Sequence, residues 1–314
     1  WVSGMVRMPG ESRQGPLPPL SPRETALQSS LVKDIQALAV GIGERNTTRE
    51  EALLAAADYI DASFEAAGYV VERRRYAIDG KPYDNVEAGL PGTATPEEIV
   101  LVGGHYDSVP GSPGANDNAG GVAAVLALAR AFAGHPHART IRFVAFVNEE
   151  RPFAQTPRMG SVVYAKGSHQ RGERIVAMLS LETMGYFSDE PGSQRDPSVL
   201  RWVYPDTGNF IAFVSNLPSR PLLHRAVATF RREATVPSEG GALPANLPGV
   251  GWSDHWAFWQ EGYPAIMVTD TAPFRYPHYH TPEDTPDKID ADRLARVVAG
   301  LQSVIADLAE SPVR

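Results

Sequence analysis

The chain has 314 residues, of which 43% are hydrophobic, enough for one large core or two small ones. Its formal net charge of -8 opposes non-specific binding to nucleic-acid phosphates, so no DNA or RNA partner is expected. It has no cysteine, which excludes disulfides, thiol nucleophiles and cysteine-ligated zinc and leaves any metal to His, Asp and Glu.

Residues 1–22 carry Pro9, Pro16, Pro18, Pro19 and Pro22 with few large apolar groups, and read as an extended tether outside the core. The chain opens on Trp1 in place of an initiator Met. A removed signal peptide or an upstream membrane anchor leaves such a start, so an exported protein is expected, whether periplasmic, extracellular or membrane-tethered. Within the chain, apolar runs such as Val122 to Ala133 are amphipathic or too short to cross a bilayer.

Leu27, Leu31, Ile35 and Leu38 repeat at helical spacing. A second helix is predicted from Arg49, opened by a Thr48/Glu51 capping box and stopped at Gly68. Strands follow over Tyr69 to Ile78, Asn85 to Leu90 and Glu98 to Gly103, the last apolar on both faces. Beyond a Gly/Pro/Asn loop come a helix from Ala119, a buried strand Arg139 to Val147, a helix Ser161 to His169 and a strand Ile175 to Leu181. Phe210 to Ser215 and Ala265 to Thr269 read as strands, Pro221 to Arg232 and Ala291 to Leu308 as helices. This alternation predicts an α/β fold, a three-layer sandwich on a mixed, mostly parallel sheet, with residues 23–314 as a single domain. The pairs Gly103-Gly104 and Gly120-Gly121 lack a phosphate-loop pattern and are read as tight turns.

His105, Glu149 and Glu182 each follow an apolar strand directly, the place where functional groups gather in α/β sheets. His105 and Glu182, with Asp117, Glu150 and His280, form a nitrogen and oxygen donor set suited to zinc. Two metals about 3.5–4 Å apart can share a carboxylate and a water. Asp107 lies two residues after His105 and, in an extended segment, on the same side, where its carboxylate would accept the imidazole N–H and fix the tautomer. Glu149 and Glu150 would point apart at a strand end, one free to bind metal while the other takes a proton from water.

Gly104-His105-Tyr106-Asp107-Ser108, Asn116-Asp117-Asn118-Ala119-Gly120, Asn148-Glu149-Glu150, Ser253-Asp254-His255 and Tyr279-His280-Thr281, in this order, resemble the co-catalytic zinc aminopeptidases, a family that also contains glutaminyl cyclases. The resemblance covers nearly the whole chain after Glu24. It implies the zinc-peptidase (phosphorylase/hydrolase-like) fold and two Zn2+ ions, or one in the cyclases. It also implies that His105 and Glu182 hold one ion, Glu150 and His280 the other, and that Asp117 bridges them. Glu149 would be the general base and acid, and Tyr279 would hydrogen-bond the oxyanion. Family members also often have an unusual peptide bond after the bridging Asp, here Asp117 to Asn118. Two positions depart from the pattern: Glu182 stands where most members have Asp, and Trp252 where some have Arg.

The expected activity is hydrolysis of the first peptide bond of peptides with a free N-terminus by a bridging hydroxide on two zinc ions. The alternatives are glutaminyl cyclisation with one zinc and a non-catalytic receptor-like ectodomain of the same fold. Phe153, Tyr186, Trp252, Asp254 and Tyr276 are candidates for the substrate pocket, since such pockets favour aromatic walls with a few polar groups. His255 reads equally as a site residue and as a packed structural one.

Overall fold

The computed structural model describes residues 2–195 and 200–310. Eight strands form one sheet: β1 (Val71–Ile78), β2 (Lys81–Leu90), β3 (Thr95–His105), β4 (Arg139–Phe146), β5 (Arg174–Leu181), β6 (Ile211–Ser215), β7 (Ser238–Ala242) and β8 (Ala265–Thr269). Their order is β1-β2-β4-β3-β5-β8-β6-β7. The central pairs β4/β3, β3/β5 and β5/β8 are parallel, as is β6/β7, while β1/β2, β2/β4 and β8/β6 are antiparallel. The sheet is mixed and mostly parallel, as the alternation predicts.

Strand β3 explains why the middle of the sheet is buried on both sides. Val100 and Val102 belong to the larger apolar cluster, whereas Ile99 and Leu101 belong to the smaller one on the opposite face. Each such side chain, withdrawn from water, contributes about 1.5–3 kcal/mol. Helices α2 (Pro22–Gln36), α3 (Glu50–Ala66), α4 (Gly120–Phe132), α6 (Arg220–Glu233) and α9 (Ala291–Glu310) feed the larger cluster through Leu31, Leu53, Val125, Phe230 and Leu301. Helices α5 (Gly160–Gln170) and α7 (His255–Gln260) feed the smaller through Tyr164 and Phe258. Three layers result. Two short α-helices are α1 (Val2–Val6) and α8 (Ala272–Arg275), and no helix among the described residues is long and apolar enough to cross a membrane.

Several local expectations are corrected. The capping box is at Ser21 and Glu24, whose side chains and backbone N–H groups bond reciprocally at 3.2 and 2.8 Å. At Thr48 the hydroxyl donates instead to Asn46 Oδ1 at 2.7 Å, and α3 starts without a side-chain cap. The glycine pairs are not turns: Gly103 and Gly104 lie within β3, and Gly120 and Gly121 form the first turn of α4. They permit close approach, since a Cβ on Gly121 would sit 2.4 Å from Leu181 O. The segment expected as a tether contains α1 and is fastened to the body: Met8 is buried, Arg231 donates to Gly10 O at 3.0 Å and Arg296 reaches Pro18 O.

Candidate metal centre

Because β4, β3, β5 and β8 run parallel, their C-terminal ends share one edge of the sheet. His105 ends β3, Glu149 and Glu150 follow β4, and Glu182 follows β5. The loop from β3 into α4 adds Asp117 beside these ends, and the segment before α9 adds His280. His105 Nε2 lies 3.2 Å from Asp117 Oδ1 and 3.1 Å from Glu182 Oε2. His280 Nε2 lies 3.0 Å from Asp117 Oδ2 and 3.3 Å from Glu150 Oε1. Glu149 Oε2 is 3.7 Å from His105 Nε2. Asp117 therefore presents one oxygen to each histidine.

This arrangement fits a metal pair. His105 Nε2, both oxygens of Asp117 and Glu150 Oε1 are buried and make no hydrogen bond among the described residues, a costly state unless a cation takes their lone pairs. His105, Asp117 and Glu182 bring ligand atoms within 4.8 Å of one another, and so do Asp117, Glu150 and His280, with Asp117 common to both groups. His105, Glu149 and Glu150 form a third such group. The donors are all imidazole and carboxylate, which suits zinc.

The protein's own charges are poorly balanced here. Burial pushes Glu149 and Glu150 up, Glu150 to about 8, and neighbouring carboxylates add to the effect. Burial would lower both histidines, but the surrounding carboxylates outweigh it, raising His105 well above its ordinary value and His280 to about 10. Those imidazoles hold Asp117 below the usual range against its burial. Positive charge is in short supply, and divalent cations would supply it while displacing the imidazole protons.

Supporting contacts aim these groups. Asp107 Oδ1 and Oδ2 accept the backbone N–H groups of Glu149 and Glu150, both at 3.1 Å, which fixes the acidic pair against β3. His105 Nδ1 faces the Asp107 backbone carbonyl at 3.1 Å and Oδ1 at 3.4 Å. The carbonyl is thus the nearer partner, because the carboxylate is committed to the two amides. Ser253 Oγ donates to Glu182 Oε2 at 2.7 Å and so holds the longer side chain beside His105. The Asp117–Asn118 peptide bond is cis.

Three supporting residues carry no motif signal of their own in the sequence. Asp284 accepts from the N–H groups of Asn116 and Asp117 at 2.8 and 3.0 Å. Asp270 accepts from Asn116 Nδ2 and Tyr186 N, each at 2.8 Å. Fully buried Arg45 donates to the carbonyls of Tyr106, Gly43 and Gly114, tying down both ends of the loop that carries Asp117.

Beside Glu182 and Tyr279 lies a pocket of ≈ 90 Å³. Of the five pocket candidates only Trp252 lines it, stacked on Phe274 with ring centroids 6.3 Å apart. Tyr186 and Tyr276 pack on each other, and Tyr276 donates its hydroxyl to Asp284. Phe153 packs against the larger core cluster. Asp254 is fully buried, and burial with the nearby Glu182 and Asp107 lifts it to about 7 against the pull of His105. These four are drawn into the framework because the loops that close the pocket come from elsewhere in the chain. His255 is buried, lies 2.7 Å from Val250 O through Nε2 and packs edge-on to Trp259, a structural placement.

The sequence model of peptidase family M28 matches residues 85–305. The chain belongs to this family. It is therefore a zinc metallopeptidase, a hydrolase. The M28 chain is 34% identical over 296 residues to the uncharacterized protein YfbL of Escherichia coli, covering 91% of this chain and 90% of that one. It is 30% identical over 207 residues to aminopeptidase YwaD of Bacillus subtilis, covering 63% of this chain but only 38% of YwaD. In fold it is similar to BSAP, a zinc aminopeptidase from Bacillus subtilis, with TM-score 0.70, 16% identity and coverage of 95% and 97%. It is also similar to the glutaminyl cyclase of Fimbriiglobus ruber, with TM-score 0.64, 20% identity and coverage of 96% and 99%.

Proposed function

We propose that the protein is a two-zinc aminopeptidase that releases the first residue from peptides with a free N-terminus. The observation that carries the reading is the doubled donor set: Asp117 belongs to two groups, His105 with Glu182 and His280 with Glu150. That leaves Glu149 beside the centre without being required in either group. Zinc ions held there would acidify water and polarise a carbonyl.

The protein groups divide the remaining work. Glu149, whose carboxyl burial holds well above the ordinary range, takes a proton from water and returns it to the leaving amine. Tyr279 lines the pocket beside Glu182, and burial with the surrounding carboxylates keeps its phenol protonated. It donates to the oxygen that becomes negative as the carbonyl is attacked. Glu182 faces the same pocket and attracts the α-ammonium, which gives preference to a terminal residue over an internal one.

The likeness to a glutaminyl cyclase favours cyclisation as the second reading. A panel of aminoacyl amides, Gln-initiated peptides and C-terminally varied peptides, run with and without chelator, separates the two. The aminopeptidase reading expects chelator-sensitive release of the N-terminal residue and two zinc equivalents. Ammonia release from Gln-peptides without hydrolysis, with one zinc, would replace it by the cyclase.

A further inference from the structure

The pocket has a second end. Its walls are largely apolar, including Phe210, Leu243, Val250, Trp252, Met267 and Phe274, and they run from Glu182 and Tyr279 to Glu239 of β7. The sheet register puts the two carboxylates on one row. Glu182 continues β5, and its N–H donates to Val268 O of β8. The next residue of β8, Thr269, pairs with Ala212 of β6, and Ala212 pairs with Glu239. Cross-strand partners share a face, so Glu182 and Glu239 flank one trough at three inter-strand spacings, about 14 Å between backbones. Between them in the row stand only the short side chains of Thr269 and Ala212.

Glu239 is partly buried, with 23% of its side chain exposed, and among the described residues none donates a hydrogen bond to its carboxylate. Arg231 stands 3.6 Å away, but its donors go to Ser238 O, Ser238 Oγ, Pro9 O and Gly10 O. Burial pushes the Glu239 carboxyl up against the pull of Arg231, so a donor arriving from the pocket would add the hydrogen bond that the described residues do not supply. A leucyl side chain would cover this carboxylate without pairing it, which costs free energy. A long stem tipped with N–H donors would lie along the apolar walls and reach it.

We propose that Glu239 determines specificity and that the pocket selects peptides whose first residue is lysine or arginine. This rests on the aminopeptidase reading and adds its substrate class. The test compares kcat/KM of the zinc-loaded protein on lysyl, arginyl, leucyl and norleucyl 4-nitroanilides, norleucine having lysine's stem without the ammonium. Lysyl and arginyl substrates are expected to exceed norleucyl by about tenfold or more, and Glu239→Gln to lower the lysyl-to-norleucyl ratio by about 10- to 100-fold. A wild-type ratio at or below one overturns the proposal, as does a ratio unchanged in a Glu239→Gln protein of native circular dichroism. If none of the four substrates is hydrolysed, the aminopeptidase reading fails, and calorimetric titration of wild type and Glu239→Gln with L-lysine and L-norleucine then decides the pocket claim. Tighter lysine binding that is lost in Glu239→Gln upholds it, and any other pattern, including no binding, overturns it.

Discussion

Glu149 and Glu150 are neighbours whose backbones are pinned by the same carboxylate, yet their side chains meet different partners. Glu150 Oε1 lies against His280, while Glu149 Oε2 lies against His105 at a longer distance. Glu149→Gln is expected to keep both zinc equivalents by metal analysis while kcat falls by about 10²- to 10⁴-fold, the usual contribution of a positioned proton carrier. Near-full turnover would remove Glu149 from the proton path. Asp117→Ala removes the carboxylate shared by the group of His105 with Glu182 and the group of His280 with Glu150. Dialysed protein should then contain neither ion, whereas two retained equivalents would contradict the ligand set.

At the scale of elements, the end of β5 is gripped from the side. Asn118 Nδ2 donates to Leu181 O at 2.9 Å, and Asn118 Oδ1 accepts from Thr183 N at 3.1 Å, so one amide brackets Glu182. A Cβ on Gly121 would come within 2.3 Å of Asn118 Oδ1. Gly121→Ala is therefore expected to force this grip apart and lower zinc affinity by about 10- to 100-fold, the range seen when groups orienting metal ligands are lost. Calorimetric zinc titration of the variant, with circular dichroism to show that it folds, checks this. An affinity equal to wild type would mean that Asn118 does not position Glu182.

Elements with strong periodicity are legible in the sequence. The expected strand Ala265 to Thr269 has the bounds of β8, and the run Glu98 to Gly103, expected to be buried on both faces, lies within β3. β7 is not legible, because Ser238-Glu239-Gly240-Gly241-Ala242 has no β-branched or aromatic residue and takes its strand form from pairing with β6. The ligands were legible because each stands in a distinctive short motif, several at the end of an apolar strand. The pocket was not, since its walls come from loops and strands spread between Glu182 and Tyr279 and become adjacent only in the fold. Asp284 and Arg45 are not legible for the same reason: each acts on backbone groups remote in sequence.

For the whole molecule, resistance to acid rests partly on carboxylates outside the metal centre. Glu173 accepts Arg142 at 2.8 and 3.0 Å and Arg171 at 3.1 and 3.2 Å. Burial would raise its pKa, but these guanidinium groups outweigh it and hold it down to about 2 from an ordinary 4.5. A carboxylate depressed on folding stabilises the native state above its unfolded pKa, and that contribution is lost as pH falls through the folded value. Glu173→Gln should thus be less stable than wild type at pH 7 by about 1 kcal/mol after solvent screening. The difference should shrink from pH 4.5 downwards and vanish below pH 2, as read by urea unfolding of both proteins across that range. A gap that stays constant with pH would show that the ion pair contributes nothing.

The fastened N-terminal segment has a consequence for how copies of the chain meet. β7 is the last strand of the sheet, and the N–H of Ser238 is already taken by Ser12 Oγ at 3.0 Å, with Met8 lying over Gly240. A bare terminal strand is a template for pairing with another molecule. Residues 8–12 work as a selvedge: they finish the border of the sheet, so that a foreign strand finds part of the row of donors it would need already occupied.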